Sequence, residues 1–288
     1  MQTMFYQFKR TAIHNILVTS SIRNPSEYLS EGLVIPEKMM KLGDIVPYER
    51  IMVTRHGGNN WQNRMYSFAI PGKSEVVEAR GALAHLLEKE EKKDKEVYCC
   101  IISGTYLDSD QYEAYCQGTL PIPIIDIRFH PNHGTRSNGL SQAKMALEFP
   151  GKTSDYSEID KYQELEKEVI DQRKQLPRIM LSNLASGLKV AEIEHHCIEL
   201  SAELPVETMK KAGMIKNQSI FVYNSSRGGI SAESYVVPNT RNDKVIISGA
   251  LSKVAGFGDI ISEASFVITD KIRKPTIFNA LHPPPSNK

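Results

Sequence analysis

Histidine is the side chain best suited to proton and metal chemistry at neutral pH. Four of the eight histidines fall in two close groups, His130 with His133 and His195 with His196. No cysteine or carboxylate beside either group completes a familiar zinc spacing, so no metal centre is expected. The cysteines are Cys99, Cys100, Cys116 and Cys197, with no CxxC pair, and they read as free thiols in a reducing compartment. Two glycine-bearing turns, residues 56–60 and 226–229, could offer backbone amides to an anion. Neither has phosphate-loop spacing, and both suit hairpins. Arg64 heads an alternating run ending at Ile70, where an arginine either grips a carboxylate or is an ordinary surface cation. His14, Ser201 and Tyr235 also lie in strand-like runs. Their imidazole, hydroxyl and phenol groups can move protons, and each equally suits an ordinary strand position.

Those residues must be held by elements of a modest fold. At 288 residues the chain has room for two small domains, each with its own core. A net charge of +1 gives no field that would draw in nucleic acid or an anionic membrane. No apolar run approaches the roughly 20 residues that span a bilayer. The first ten residues lack the basic start and apolar run of a secretory signal. A cytoplasmic protein is the expectation.

The chain repeats itself. Residues 37–45 and 51–53 recur as 207–215 and 220–222, and Gly81–Leu83 recurs as Gly249–Leu251. The offset stays within 168 to 170 residues from Gly43/Gly213 to Gly81/Gly249. A period that long indicates a duplicated domain, not a solenoid. In the first copy, strands are expected at 12–19, 50–54, 64–70, 76–79 and 97–102. A short helix follows Pro36 and stops at Gly43, and a helical turn starts at Gly81. The second copy repeats this order, with strands at 188–191, 220–223, 234–237, 245–247 and 258–267 and a helix at 206–212. Short strands with close turns and one-turn helices predict small closed barrels. Residues 118–153, rich in Pro, Gly and Asn, read as an inserted loop with one strand-like run, 122–129. Residues 157–175 carry a narrow apolar stripe on a polar background and predict a linking helix.

Both copies resemble aspartate 1-decarboxylase, a pyruvoyl-dependent family with a double-psi β-barrel. The resemblance lies in residues 14–19, 47–53, 64–70 and 81–85 of the first copy. In the second it lies in 211–214, 233–237, 248–251 and 258–266. It implies a mainly β fold of two double-psi barrels in tandem, with short helices and a linking α-helix. The domains would be residues 1–117, a loop insertion and linker helix at 118–177, and 178–288. It also implies a chemistry in which a serine hydroxyl attacks the preceding carbonyl and the chain breaks to leave a pyruvoyl group. That ketone acts as the electron sink while carbon dioxide leaves aspartate to give β-alanine.

Carried over by position, the family's serine falls on Gly32 in the first copy and on Ser201, after Leu200, in the second. The substrate-holding arginine matches Arg64, opposite Ser231. The supporting threonine becomes Ser67 and Ser234, and the proton-returning tyrosine becomes Phe68 and Tyr235. The lysine position holds Ala12 and Leu184, and the histidine beside it survives as His14. The two copies have therefore lost complementary parts. The resemblance implies catalytic Ser201, Ser234, Tyr235 and His14, with Arg64 and Ser67 binding a small acidic amino acid. It implies a composite site in a dimer of tandem barrels, its only cofactor being a pyruvoyl group made from Ser201. Two other readings compete: an uncleaved barrel that binds an acidic metabolite or a protein, and a different reaction on the same fold.

Overall fold

A computed structural model of the chain describes residues 5–22, 29–55, 64–88, 97–117, 119–120, 124–129, 144–148, 157–158, 173, 176–195, 201–227 and 230–281. These residues are mainly β. Strands β1 (Phe5–Val18), β2 (Ser20–Ile22), β3 (Gly32–Pro36), β4 (Arg50–Arg55), β5 (Arg64–Gly72), β6 (Glu78–Arg80) and β7 (Val97–Asp108) make the first half. Strands β8 (Ile124–Arg128), β9 (Lys144–Glu148) and β10 (Ser157–Glu158) follow. The second half holds β11 (Arg178–Glu194), β12 (Ser201–Pro205), β13 (Ser219–Asn224), β14 (Ile230–Asn239), β15 (Val245–Ser248), β16 (Ile260–Thr269) and β17 (Thr276–Asn279). Helices are short: α1 (Glu37–Leu42), α2 (Ala82–Leu86), α3 (Ser109–Cys116) and α4 (Val206–Ala212).

The halves pair their strands in the same way. β3 lies between β5, parallel, and β6, antiparallel. β12 lies likewise between β14 and β15. β4 is flanked by β5 and β7, and β13 by β14 and β16, all antiparallel. The result is a mixed ring of strands, which corrects the expectation of regular barrels. The reason is that long β1 serves both β7 and β8, and β11 serves β15, β16 and β17. Each bends at bulges, which break a single barrel register.

Local chemistry explains the short helices. Pro36 and Pro205 precede α1 and α4 with φ near −50°, a value that the pyrrolidine ring fixes in advance. Glu37 and Glu207 face the positive helix starts, and Lys41 and Lys211 the negative ends. Gly213 ends α4 at φ 69°, where a Cβ would also meet Asn183 at 2.8 Å. α3 was not expected. It starts with a capping box in which Asp108 accepts from the Gln111 amide and Gln111 reaches back.

The stretch expected to be a loop contains strand β9, which pairs with β8, and β8 runs parallel to β1. The expected linker helix falls mostly outside the described residues. Its first two residues are strand β10, paired with β9, and Arg173 is helical.

One core cluster runs from first-half residues such as Ile13, Leu33 and Phe68 into Leu181, Leu184, Tyr223 and Ala264 of the second half. A second cluster, including Val190, Leu204, Ile220 and Phe278, fills the second half alone. A buried ionic group reinforces the join. Arg10 binds Asp44 at 2.7 Å and Glu49 at 2.6 Å, and Arg178 of β11 binds the same two acids at 2.8 and 2.9 Å. Arg173 adds a 3.1 Å contact to Asp44. Burial pushes the Asp44 carboxyl up, but the charges of Arg10, Arg178 and Arg173 together hold it below the usual carboxylate range.

Candidate functional site

β4 and β5 pair so that Thr54 faces Arg64, Met52 faces Tyr66 and Arg50 faces Phe68. Side chains alternate along a strand, so Arg64 and Tyr66 share one face of β5, and Arg50 and Met52 the matching face of β4. With Lys9 and Ser103 these four line a cavity of about 320 Å³. Among the described residues its lining carries three cations, Lys9, Arg50 and Arg64, and no carboxylate. The Arg50 guanidinium lies 4.7 Å from the centre of the Tyr66 ring and 5.8 Å from each of Phe221 and Phe266. Those two rings come from the second half, so Arg50 is fixed by aromatic faces on both sides of the join. A cavity of this size and sign suits a small anion, carboxylates included.

The other expected residues lie elsewhere. Ser67, one step along from Tyr66, is buried on the opposite face of β5 and does not line the cavity. Ser201 opens β12, nearly buried, with Tyr235 its parallel partner on β14 and Ser248 its antiparallel partner on β15. Tyr235 is 57% exposed, whereas Ser234 is buried on the other face. The Ser248 hydroxyl is buried without a hydrogen-bond partner among the described residues. Leu200 lies outside the described residues. Ser201 and Tyr235 are therefore neighbours, and neither lines the Arg64 cavity of the same chain.

His14 occupies a third place. The β1–β7 register slips between Ile13 and Ile16, and Asn15 in that bulge takes φ 58°. The Asn15 side chain donates to the Phe129 carbonyl at 3.1 Å, which helps hold a conformation rare outside glycine. The bulge turns His14 toward Cys100 of β7, whose Sγ is 3.2 Å from Nδ1, and toward Asp126 of β8, 3.3 Å from Nε2. Asp126 and then Cys100 raise the imidazole to about 9, against the opposing effect of burial.

Sequence reasoning missed Glu31. It is buried in the join between the halves, where it accepts hydrogen bonds from the hydroxyls of Ser225 and Ser262 and, at 2.9 Å, from the Ala82 amide. Burial raises this carboxyl to about 7 despite those donors. A Cβ on Gly81, at φ 59°, would overlap the Glu31 carboxyl. A second acid, Glu263, is buried with neither oxygen partnered among the described residues and is raised to about 8 by burial. The only sequence signal was a charged residue, Glu31, at the edge of an apolar run. Its partners are 51, 194 and 231 residues away.

Comparison with known proteins adds one finding. Over 95 residues, 33% of this chain, it is 30% identical to the aspartate 1-decarboxylase of Sulfurihydrogenibium sp. (strain YO3AOP1), and the match covers 69% of that protein. No family model matches the chain.

Proposed function

Because the chain belongs to the aspartate 1-decarboxylase family, as a distant member, we propose that it is a carboxyl-lyase acting on aspartate or a related small acidic amino acid. The observation that carries this reading is the cavity around Arg64, whose described lining is cationic and free of carboxylates. There the Arg64 fork would grip the substrate carboxylate, with Lys9 and Arg50 adding positive potential. Ser201 would be the processed residue, Ser234 would support its cleavage, and the exposed phenol of Tyr235 would return a proton to the product. His14, kept cationic beside Asp126, does not line this cavity and would add its charge only from a partner chain.

The group that the family implies is a pyruvoyl at position 201. The residues present fit it in one respect: the orphaned Ser248 hydroxyl lies directly across the strand pair from Ser201 and would be satisfied by an added oxygen there. The pyruvoyl would supply the ketone that accepts electrons as carbon dioxide leaves.

The reading treats the chain as two copies, residues 1–117 and 178–288, joined through 118–177. Matching strand pairs support it, as do matching bulges, with Asn15 in β1 and Gly187 in β11 both at positive φ. Since Ser201 and Tyr235 do not share the Arg64 cavity within one chain, the complete site would close between two chains in a dimer. Exposure supports that arrangement. Phe68, one step before the Leu33–Ala69 pair, is fully buried at the join, whereas Tyr235, opposite Ser201, is open. Ala82 is likewise buried and Ala250 exposed.

Intact mass on denatured protein tests the processing step. A lyase gives two fragments, the second beginning with a blocked residue 201 that reacts with hydrazine. A second reading rests on Leu200, which replaces the glycine expected before the serine. Glycine reaches strained backbone angles that expose its carbonyl to attack, and leucine does so only at higher cost. In that case the chain stays intact and the cavity only binds acids. Arg64→Ala separates both from a mistaken site: it abolishes acid binding or turnover under either reading, and changes neither if the cavity is not the site.

A further inference from the structure

Cys99 and Cys100 are adjacent but face opposite ways on β7. Cys99 is in the first core, where burial pushes its thiol well above the usual range. Cys100 turns to the other side and meets His14. We propose that Cys100 is a nucleophilic thiol, activated by His14 and oriented by Asp126, that adds to α,β-unsaturated carbonyl compounds.

The geometry is that of a nucleophile, a base and a third group that orients the base. Cys100 Sγ is within hydrogen-bond reach of His14 Nδ1 at 3.2 Å. On the far side of the ring, Asp126 Oδ2 is 3.3 Å from Nε2. This side-chain contact with Asp126 is the largest cause of the raised imidazole, with Cys100 next. Arg128 Nε, 3.2 Å from Asp126 Oδ1, holds the carboxylate in place. The three residues come from β7, β1 and β8, and the bulge at His14–Asn15 is what aims the ring. His14 stays cationic through neutral pH, because its value is raised to about 9. The imidazolium therefore lies beside the sulfur, placed to carry the thiol proton as the sulfur attacks. Among charged groups on the packed strands, His14 faces Cys100, Asp126 and, through Asp126, Arg128.

The reaction balances without an oxidant. The sulfur pair forms a bond to the β-carbon, the π electrons move toward the carbonyl, and the α-carbon takes the proton held on His14 Nδ1. Nothing leaves and nothing is reduced. Cys100 is 7% exposed and the His14 side chain 28% exposed, so a small acceptor approaches from the histidine side. The proposal shares His14 with the lyase reading but needs neither Arg64 nor Ser201, and the lyase reading needs no thiol.

N-ethylmaleimide is the probe, with peptide mapping by fragmentation to separate Cys99 from Cys100. At pH 6 an ordinary thiol is under about 1% thiolate. Cys100 should therefore label at least about tenfold faster than exposed Cys116 of the same chain. His14→Asn and His14→Gln should each slow Cys100 labelling about tenfold at pH 6 and restore the steep pH dependence of a free thiol. Asp126→Asn should have a smaller effect in the same direction. Cys99 reports on folding, because it labels only if the core opens. The proposal is overturned if Cys100 labels no faster than Cys116 in the unaltered chain, a comparison that needs no variant. It is also overturned if a folded His14 variant keeps the original pH profile.

Discussion

Glu31→Gln is the substitution with the most direct consequence. The carboxyl is buried and raised to about 7, against 4.5 for a free glutamate. Below pH 4.5 the folded and unfolded chains both hold this proton, and the group contributes its full share of stability. As pH rises from 4.5 the unfolded chain gives up the proton while the folded chain keeps it, so stability falls. The loss is complete once pH passes about 7 and the folded carboxyl also ionises. At 1.36 kcal/mol per pH unit, the gap amounts to about 3 kcal/mol. Glutamine mimics the protonated acid: its carbonyl can accept from the Ala82 amide and its NH2 can donate to the Ser225 and Ser262 oxygens. Urea unfolding at a series of pH values is the assay. The stability of Glu31→Gln relative to the original chain should rise by about 3 kcal/mol between pH 4.5 and 7.5. Glu263, which titrates in the same direction, is present in both proteins and cancels in the difference. A difference that does not change with pH would mean that Glu31 is already ionised in the fold, and the reasoning would fail.

Arg178→Met leaves Asp44 and Glu49 short of a cation in a buried site and should cost about 3–5 kcal/mol in urea unfolding. Gly213→Ala forces a Cβ onto φ 69° and against Asn183, and should cost about 1–3 kcal/mol by the same measurement. Tyr235→Phe, at an exposed position, should leave the thermal midpoint within about 2 °C while removing turnover under the lyase reading. Arg50→Met should weaken binding of small dicarboxylates, measured by calorimetry, by about 10- to 150-fold, since a charge-assisted contact is worth about 1.5–3 kcal/mol.

The local code for this fold was largely legible. Pro36 and Gly43 bounded α1 and the repeat placed α4, because these signals act within a turn or two; of the two terminal glycines only Gly213 takes a left-handed φ. The alternation at 64–70 marked β5 and put Arg64 and Tyr66 on one face. The capping box at Asp108–Gln111, which starts α3, is an equally local signal. Strands β9 and β17 were not legible. β9 pairs with an equally short strand, β8, and β17 with the distant β11, and such pairing leaves little trace in composition. The site shows the same division. Arg64 could be picked from its own run, but the Cys100–His14 contact joins residues 86 apart and depends on a bulge that no spacing announces.

Position 32 explains why the proposed lyase chemistry would rest on Ser201 and not on the first half. The β3 register sets Gly32 against Arg80, just before Gly81, as the β12 register sets Ser201 against Ser248, just before Gly249. The two positions correspond, yet they differ in what they can hold. Gly32 takes φ 119°, which side-chain-bearing residues rarely adopt. A Cβ there would lie 2.7 Å from Ile70 and 3.0 Å from Phe68, both packed in the core that joins the halves. A serine at 32 would strain its backbone and push apart that packing, and its hydroxyl would face apolar carbon. Ser201 carries neither constraint: its φ is not left-handed, its neighbour Tyr235 is open to solvent, and Ser248 offers an unused hydroxyl beside it. The contact that closes the first half over Phe68 is thus the same contact that removes a reactive serine from it. Under the proposed reading, the second half's Ser201–Tyr235 edge and the first half's Arg64 cavity would supply the two parts of the site.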